Sequence, residues 1–262
     1  MISADIDTVP KTALDNTDSS APTDFAVLAN KLTRRFGNFT AVDHIDLAVK
    51  PGEIFGFLGA NGAGKTTAIR MFCGLLKPSG GEAWVHGLSI KKKAEVIKRK
   101  IGYMSQKFSL YNDLTIYENL EFYGGIYGLK KSEIKERSKE LLDNMGLQEY
   151  RNKLTSALPL GFKQRLALGS AMFHRPSILF LDEPTSGVDP VARRIFWEMI
   201  YELSENGTTV FVTTHYMDEA EYCDRVSIMV KGRIAAMDSP AELKKKWNGA
   251  NMQEVFLKVV ET

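Results

Sequence analysis

The stretch Gly59-Ala60-Asn61-Gly62-Ala63-Gly64-Lys65-Thr66 admits few folds. It follows the short apolar run Glu53-Ile54-Phe55-Gly56-Phe57-Leu58 and opens a helix-like segment from Lys65, through Thr67, to about Leu76. The pattern GxxxxGK[ST] between a strand and a helix is a phosphate-binding loop. Its glycines let the backbone wrap round a phosphate with the amides pointing inward, and the helix start adds the positive end of a dipole. Lys65 can then reach the β- and γ-phosphates of a nucleotide, and the Thr66 hydroxyl can ligate Mg²⁺.

The remaining order of elements agrees with an α/β fold. Ile45, Leu47 and Val49 alternate with polar residues as in a half-buried strand ended by Pro51-Gly52, and Glu82 to His86 reads as another strand. From about Ser89 to Phe173 the character is helical, with a capping box at Thr115-Ile116-Tyr117-Glu118 and an amphipathic helix from Lys131 to Met145. Alternation then resumes: a strand at Ile178 to Leu181, a helix capped by Asp189 with Pro190 as its first residue, and strands at Thr209 to Thr213 and Val226 to Val230. Strands alternating with helices predict a mainly parallel sheet interrupted by one helical insertion.

A second acidic element follows the same logic. Ser177-Ile178-Leu179-Phe180-Leu181-Asp182-Glu183 is a buried strand with two carboxylates at its C-terminal edge, where ligands sit in open α/β sheets. Asp182 suits coordination of Mg²⁺, and Glu183 suits polarising an attacking water. An acidic pair ending a strand is by itself more often a helix cap or turn. Thr185-Ser186-Gly187-Val188-Asp189 behind it, and the phosphate loop before it, favour the functional reading.

Composition narrows the class. Lys and Arg number 34 against 32 Asp and Glu, a formal charge of +2. The sequence pI of 8.4 falls short of the value above ~9 typical of a nucleic-acid coat. With 44% hydrophobic and 25% charged residues the chain is globular. No apolar run approaches the ~18 residues needed to cross a bilayer, so the chain is expected to be cytoplasmic. Cys73 and Cys223 lie far apart, which reads as buried free thiols rather than a disulfide. Residues 1–24 are polar, without sustained period, and are expected to form a disordered tail.

In their order and spacing these motifs resemble the nucleotide-binding subunit of an ABC transporter over about residues 25–240. Gln106 in Gly102-Tyr103-Met104-Ser105-Gln106 is similar to the Q-loop glutamine, Ser186-Gly187-Val188-Asp189 to the D-loop, and His215 in Val212-Thr213-Thr214-His215 to the switch histidine. Phe36 in Arg35-Phe36-Gly37 holds the place of the adenine-stacking aromatic. The resemblance implies a P-loop NTPase, RecA-like core (25–88 and 174–240), with an antiparallel β subdomain, an inserted helical subdomain (about 89–173) and a short C-terminal extension (241–262). It implies ATP and Mg²⁺ as ligands. ATP would lie against Phe36, Gly59 to Thr67 and Asp189, and Mg²⁺ against Thr66, Gln106 and Asp182, with Glu183, His215 and Gln106 in catalysis.

One segment departs from the family. In place of LSGGQ the chain reads Leu158-Pro159-Leu160-Gly161-Phe162, followed in register by Lys163-Gln164-Arg165. Pro159 has neither the family's serine hydroxyl nor a backbone N–H. The contact to a partner's γ-phosphate is therefore expected to come from Gly161, the amides opening the next helix, and its dipole. The resemblance also implies a homodimer or heterodimer of such subunits, each segment 159–162 facing the other's phosphate loop, and an integral membrane permease as partner. The text from Gln106 to Thr115 and from Thr214 to Glu221 looks like the multidrug, or ABC-2, exporter branch. The alternative is a soluble ATPase of the same type acting on DNA or ribosomes. Only about 90 residues separate the loop from the signature, with no heptads and a single ATPase domain, so no nucleic-acid partner is expected.

Two further stretches allow two readings each. Lys91-Lys92-Lys93 and Lys98-Arg99-Lys100 are a solvated face, or a surface near anionic lipid. Tyr117, Phe122, Tyr123 and Tyr127 are helical core packing or, by the resemblance, part of the groove that receives the permease.

Overall fold

The computed structural model describes residues 24–261; the expected N-terminal tail lies, but for Asp24, outside the described residues. Among the described residues, two sheets and the helices enclose three hydrophobic clusters. The first sheet has the order β2-β1-β4-β5 and is antiparallel throughout: β1 (Val27–Phe36), β2 (Phe39–Val49), β4 (Gly80–Val85) and β5 (Leu88–Ser89). The second has the order β10-β9-β3-β8-β7-β6. Here β3 (Ile54–Leu58), β6 (Ile101–Met104), β7 (Ile178–Asp182), β8 (Thr209–Thr214) and β9 (Arg225–Val230) run parallel, and β10 (Arg233–Asp238) closes the edge antiparallel.

The central strands are apolar on both faces because helices cover both. Phe55, Phe57, Phe180 and Phe211 stack across β3, β7 and β8 towards Phe72 of α1 (Lys65–Phe72), with ring centroids 5.2–6.4 Å apart. On the other face Phe196, Trp197 and Ile200 of α6 (Pro190–Glu205) and Leu168 of α5 (Leu160–Met172) pack against β7 and β8. A third cluster binds α3 (Ile116–Ile126) and α4 (Lys131–Asn144) to the inner side of α5 through Leu120, Leu142 and Leu166.

Helix ends follow local chemistry. Thr115 and Glu118 form the expected capping box of α3, and Asp189 caps α6 by accepting from the Val191 and Ala192 amides. Helix α1 stops at Phe72, short of the expected Leu76. Gly74, at φ 68°, turns the chain, and the Leu75 and Leu76 amides return to the Arg70 carbonyl.

Two boundaries differ from the sequence expectation. The stretch 89–173, read as one helical insertion, begins with α2 (Ala94–Lys100) and β6, and β6 pairs with β7 in the core sheet. The part set apart from the sheet is thus confined to residues after Met104. Of the stretch 241–262, read as a short C-terminal extension, the described residues 241–261 are no appendage. Helices α7 (Pro240–Lys246) and α8 (Met252–Glu261) bury Leu243, Met252, Val255 and Val259 in the same core as β7 and β8. Apolar periodicity alone cannot say which core a helix joins.

Candidate nucleotide site

The phosphate loop leaves β3 and is braced from outside. A Cβ on Gly59 would come within 2.5 Å of the Met229 carbonyl, and one on Gly64, at φ 109°, within 2.3 Å of the Ala41 carbonyl. Both positions require glycine, and through Ala41 the antiparallel sheet is fixed against the loop. Ala63 accepts from the Gly232 amide at 3.0 Å. Ala60, Asn61 and Gly62 stay exposed at the mouth, Thr66 is exposed and Thr67 half-buried.

Gly64 is the N-cap of α1, so no side chain covers the first amides of that helix, and its first turn carries no acid. Helix α5 begins the same way, from Pro159, with no capping side chain and no acid in its first turn. In α3, α6 and α7, Thr115, Asp189 and Ser239 supply such caps. The two starts expected to face phosphate thus have neither a capping side chain nor an acid. Helices α2 and α4, whose N-cap side chains make no such bond either, carry Glu95 and Glu133 in their first turns.

Side chains converge at the C-terminal edge of β3, β7 and β8. Lys65 is 4% exposed, and its ammonium donates to the Gly59 and Ala60 carbonyls at 2.7 and 3.2 Å. It also lies 3.4 Å from Glu183 Oε1. Glu183 Oε2 accepts from Gln106 Nε2 at 3.1 Å and from His215 Nδ1 at 3.2 Å. The three residues expected in catalysis, remote in sequence, therefore meet on one carboxylate. Burial pulls the Lys65 pKa down, and the nearby Glu183 charge opposes that shift.

Asp182 is buried one residue earlier and is held by hydroxyls: Thr213 Oγ1 donates at 2.8 Å and Thr66 Oγ1 at 3.0 Å, both to Oδ1. Desolvation raises its pKa, and these two hydrogen bonds oppose the rise. A buried carboxylate beside a hydroxyl, held without a cationic side chain bonded to it, is a donor set suited to a hard divalent cation shared with phosphate oxygens. Gln106, expected on the metal, instead directs its amide to Glu183.

The remaining expected residues spread round this centre. Phe36 ends β1, is 46% exposed, and lies under the Arg34 guanidinium, 4.4 Å from the ring centroid. Asp189 engages its carboxylate on its own helix. Pro159 and Leu160 are exposed, whereas Phe162 turns inward, edge-on to Tyr150 and beneath Arg165. Gly161 faces α6: a Cβ there would lie 2.9 Å from the Ala192 Cβ. The aromatic run divides. Phe122 is exposed, while Tyr123 donates to the Ser109 carbonyl and Tyr127 stacks on His174 at 3.5 Å.

Several residues that sequence reasoning missed hold this centre. Thr213 lies opposite Asp182 in the β7–β8 register, and both its hydroxyl, at 2.9 Å, and its carbonyl, at 3.2 Å, accept from the Glu183 amide. Gln164, fully buried, donates to the Pro184 carbonyl at 2.8 Å. Glu219, also fully buried, accepts from Thr185 Oγ1. Thr213 stands out only as a polar residue ending an apolar strand, and Gln164 and Glu219 lie among other polar residues, so the sequence does not say what any of them touches.

Comparison with known proteins settles the lineage of this arrangement. The family model described as "ABC transporter" matches residues 42–186, more than half of the chain. The chain belongs to the ABC transporter family. It is 46% identical over 258 residues to the "Probable multidrug ABC transporter ATP-binding protein YbhF" of Escherichia coli, covering 96% of this chain but 44% of that one. It thus spans under half the length of that relative. It is 40% identical over 222 residues to the "Linearmycin resistance ATP-binding protein LnrL" of Bacillus subtilis, covering 84% of this ABC chain and 71% of that protein. Among solved structures, the dimeric post-hydrolysis state of the ATP-binding cassette MJ0796, bound to ADP and Pi, superposes with a TM-score of 0.75 at 26% identity, over 81% of this chain and 98% of that one. The fold is that of an ABC ATPase domain, a P-loop NTPase that binds nucleotide.

Proposed function

We propose that this chain binds and hydrolyses ATP to power a separate membrane permease on the cytoplasmic face of the membrane, exporting a drug, lipid or other hydrophobic compound. The observation that carries the ATPase reading is the meeting of Lys65, Gln106 and His215 on the Glu183 carboxylate at the mouth of the phosphate loop. The names of YbhF and LnrL support export. Helices α3 and α4, of 11 and 14 residues, are too short for the long coiled coil of DNA-acting relatives, which weighs against that alternative. No helix among the described residues is long and apolar enough to cross a membrane.

In this reading the loop amides and Lys65 hold the β- and γ-phosphates, Lys65 exchanging its two carbonyl partners for phosphate oxygens. Thr66 and Asp182 would hold Mg²⁺, with Gln106 alongside. When bound, the ion neutralises charge on the phosphate oxygens. Glu183 orients the attacking water and accepts its proton, and His215 passes from Glu183 to the γ-phosphate. Catalysis is positional and electrostatic, with no covalent intermediate on the chain. Residues 159–162 of one subunit would meet the γ-phosphate held by another through the open amides of α5. Glu183→Gln is the test. It should retain nucleotide binding and lose turnover; near-normal turnover would remove Glu183 from catalysis.

A further inference from the structure

Behind the catalytic edge lies a buried polar cluster that the reaction does not use directly. Glu219 sits on a short 3-10 helix, Met217–Tyr222, just after His215, and its side chain is 0% exposed. Its Oε1 accepts from Thr185 Oγ1 at 2.5 Å and lies 3.6 Å from Arg193 Nε, on the second turn of α6. The Arg193 guanidinium also covers the Tyr216 ring at 4.3 Å, and that ring is 4.2 Å from His215. Glu219 thus joins three segments distant in sequence: the turn after Glu183, the start of α6, and the segment carrying His215.

Each of these segments has a reason to need holding. Glu183 has φ of 49°, a left-handed conformation that costs a non-glycine residue energy, and precedes Pro184, which itself disfavours compact conformations. Such a backbone persists only where its surroundings over-determine it. Thr213 fixes the Glu183 amide, Gln164 the Pro184 carbonyl, and Glu219 the Thr185 hydroxyl. A buried ionic cluster is a poor stabiliser compared with apolar packing of the same volume; fixed relative placement is what it can provide. Glu219 Oε2 and Arg193 Nε have no hydrogen-bond partner, so the cluster is not arranged for maximal stability.

We propose that Glu219 is a positioning residue for turnover: through Thr185 it holds the strained Glu183–Pro184 turn, and through Arg193 and Tyr216 it holds the segment that carries His215. The cluster touches no part of the phosphate loop, so its loss acts on turnover and spares nucleotide affinity. This rests on the assignment of Glu183 as the water-orienting group.

The test uses the purified full chain, with steady-state ATPase rates beside equilibrium binding of a fluorescent ATP analogue. Thr185→Val keeps the shape and removes the donor; kcat should fall roughly tenfold to a hundredfold, the scale of a small misplacement of reacting groups. Analogue affinity should stay within about twofold, and Thr185→Ser, which restores the hydroxyl, should keep kcat within about twofold of the parent. Glu219→Gln keeps an acceptor for Thr185 but removes the buried charge facing Arg193, leaving it the exposed Asp218 Oδ2 at 3.4 Å, and should also lower kcat with affinity spared. That variant carries the test if Thr185→Val does not fold. Unchanged kcat in both variants, with Glu183→Gln inactive, overturns the positioning role alone. Affinity falling in step with kcat also overturns it, because a general loosening of the fold would do that. An active Glu183→Gln removes the catalytic assignment and the proposal with it.

Discussion

At the residue scale the site is a set of buried charges that satisfy one another until a nucleotide arrives. Lys65 holds two backbone carbonyls and faces Glu183, so phosphate must displace protein partners that already fit. Hydrogen bonds to charged groups are worth ~1.5–3 kcal/mol, so Lys65→Ala should weaken ATP binding about tenfold or more, read by titration with a fluorescent analogue. Unchanged affinity would place the triphosphate elsewhere. Lys65, Thr66, Asp182 and Glu183 were legible in the sequence because each stands in a contiguous motif whose neighbours fix its direction. Thr213, Gln164 and Glu219 were not. Their roles come from pairings across 20 to 34 positions, set by strand register and by the packing of α5 and the Met217–Tyr222 turn.

Elements carry the features that make this chain unlike its family's usual text. Helix α5 presents an uncapped start behind Pro159, and the structure gives Gly161 a packing role beside the expected one. A side chain there meets Ala192 of α6 before it meets any partner. Gly161→Ala should therefore lose about 1–3 kcal/mol of stability without ATP, measured by denaturant unfolding, and Ala192→Gly should recover part of it. A Gly161→Ala chain as stable as the parent would contradict this packing. Pro159→Ser is the cleaner probe of the signature, because that side chain is exposed. It should change ATP affinity of the dimer modestly, and more when joined to Leu160→Gly.

A second element-scale effect lies where α5 ends. His174 donates from Nε2 to the Ile101 carbonyl, stacks on Tyr127, and leaves Nδ1 buried without a partner. Burial, with Arg137 nearby, pulls its pKa down to about 4 from an ordinary 6.5. Between these values the unfolded chain binds the extra proton, so stability is full above pH 6.5 and declines as pH falls towards 4. His174→Phe, which cannot titrate, should start less stable at pH 7, and its Tm should approach the parent's as pH falls through that window. A gap that stays constant would mean His174 titrates normally. Motifs, caps and periodicity mark α1, α3, α4 and α6, whereas the stretch holding α7 and α8 reads only as a short C-terminal extension, because seven- and ten-residue helices give too short a period to tell which core they join.

For the whole molecule, α1 and α5 each present a helix start with no capping side chain. In the proposed head-to-tail pair, α1 of one copy and α5 of the other would face the same ATP. Bound ATP would then bridge two subunits, and its hydrolysis would release them, giving the permease a two-state element to follow. The most direct measurement is sedimentation of Glu183→Gln, which should bind ATP without consuming it. With saturating ATP and Mg²⁺ it should sediment as a dimer, without nucleotide as a monomer, and the added change Lys65→Ala should abolish the shift. A species that remains monomeric under saturating ATP, alone and with its permease, would contradict the account.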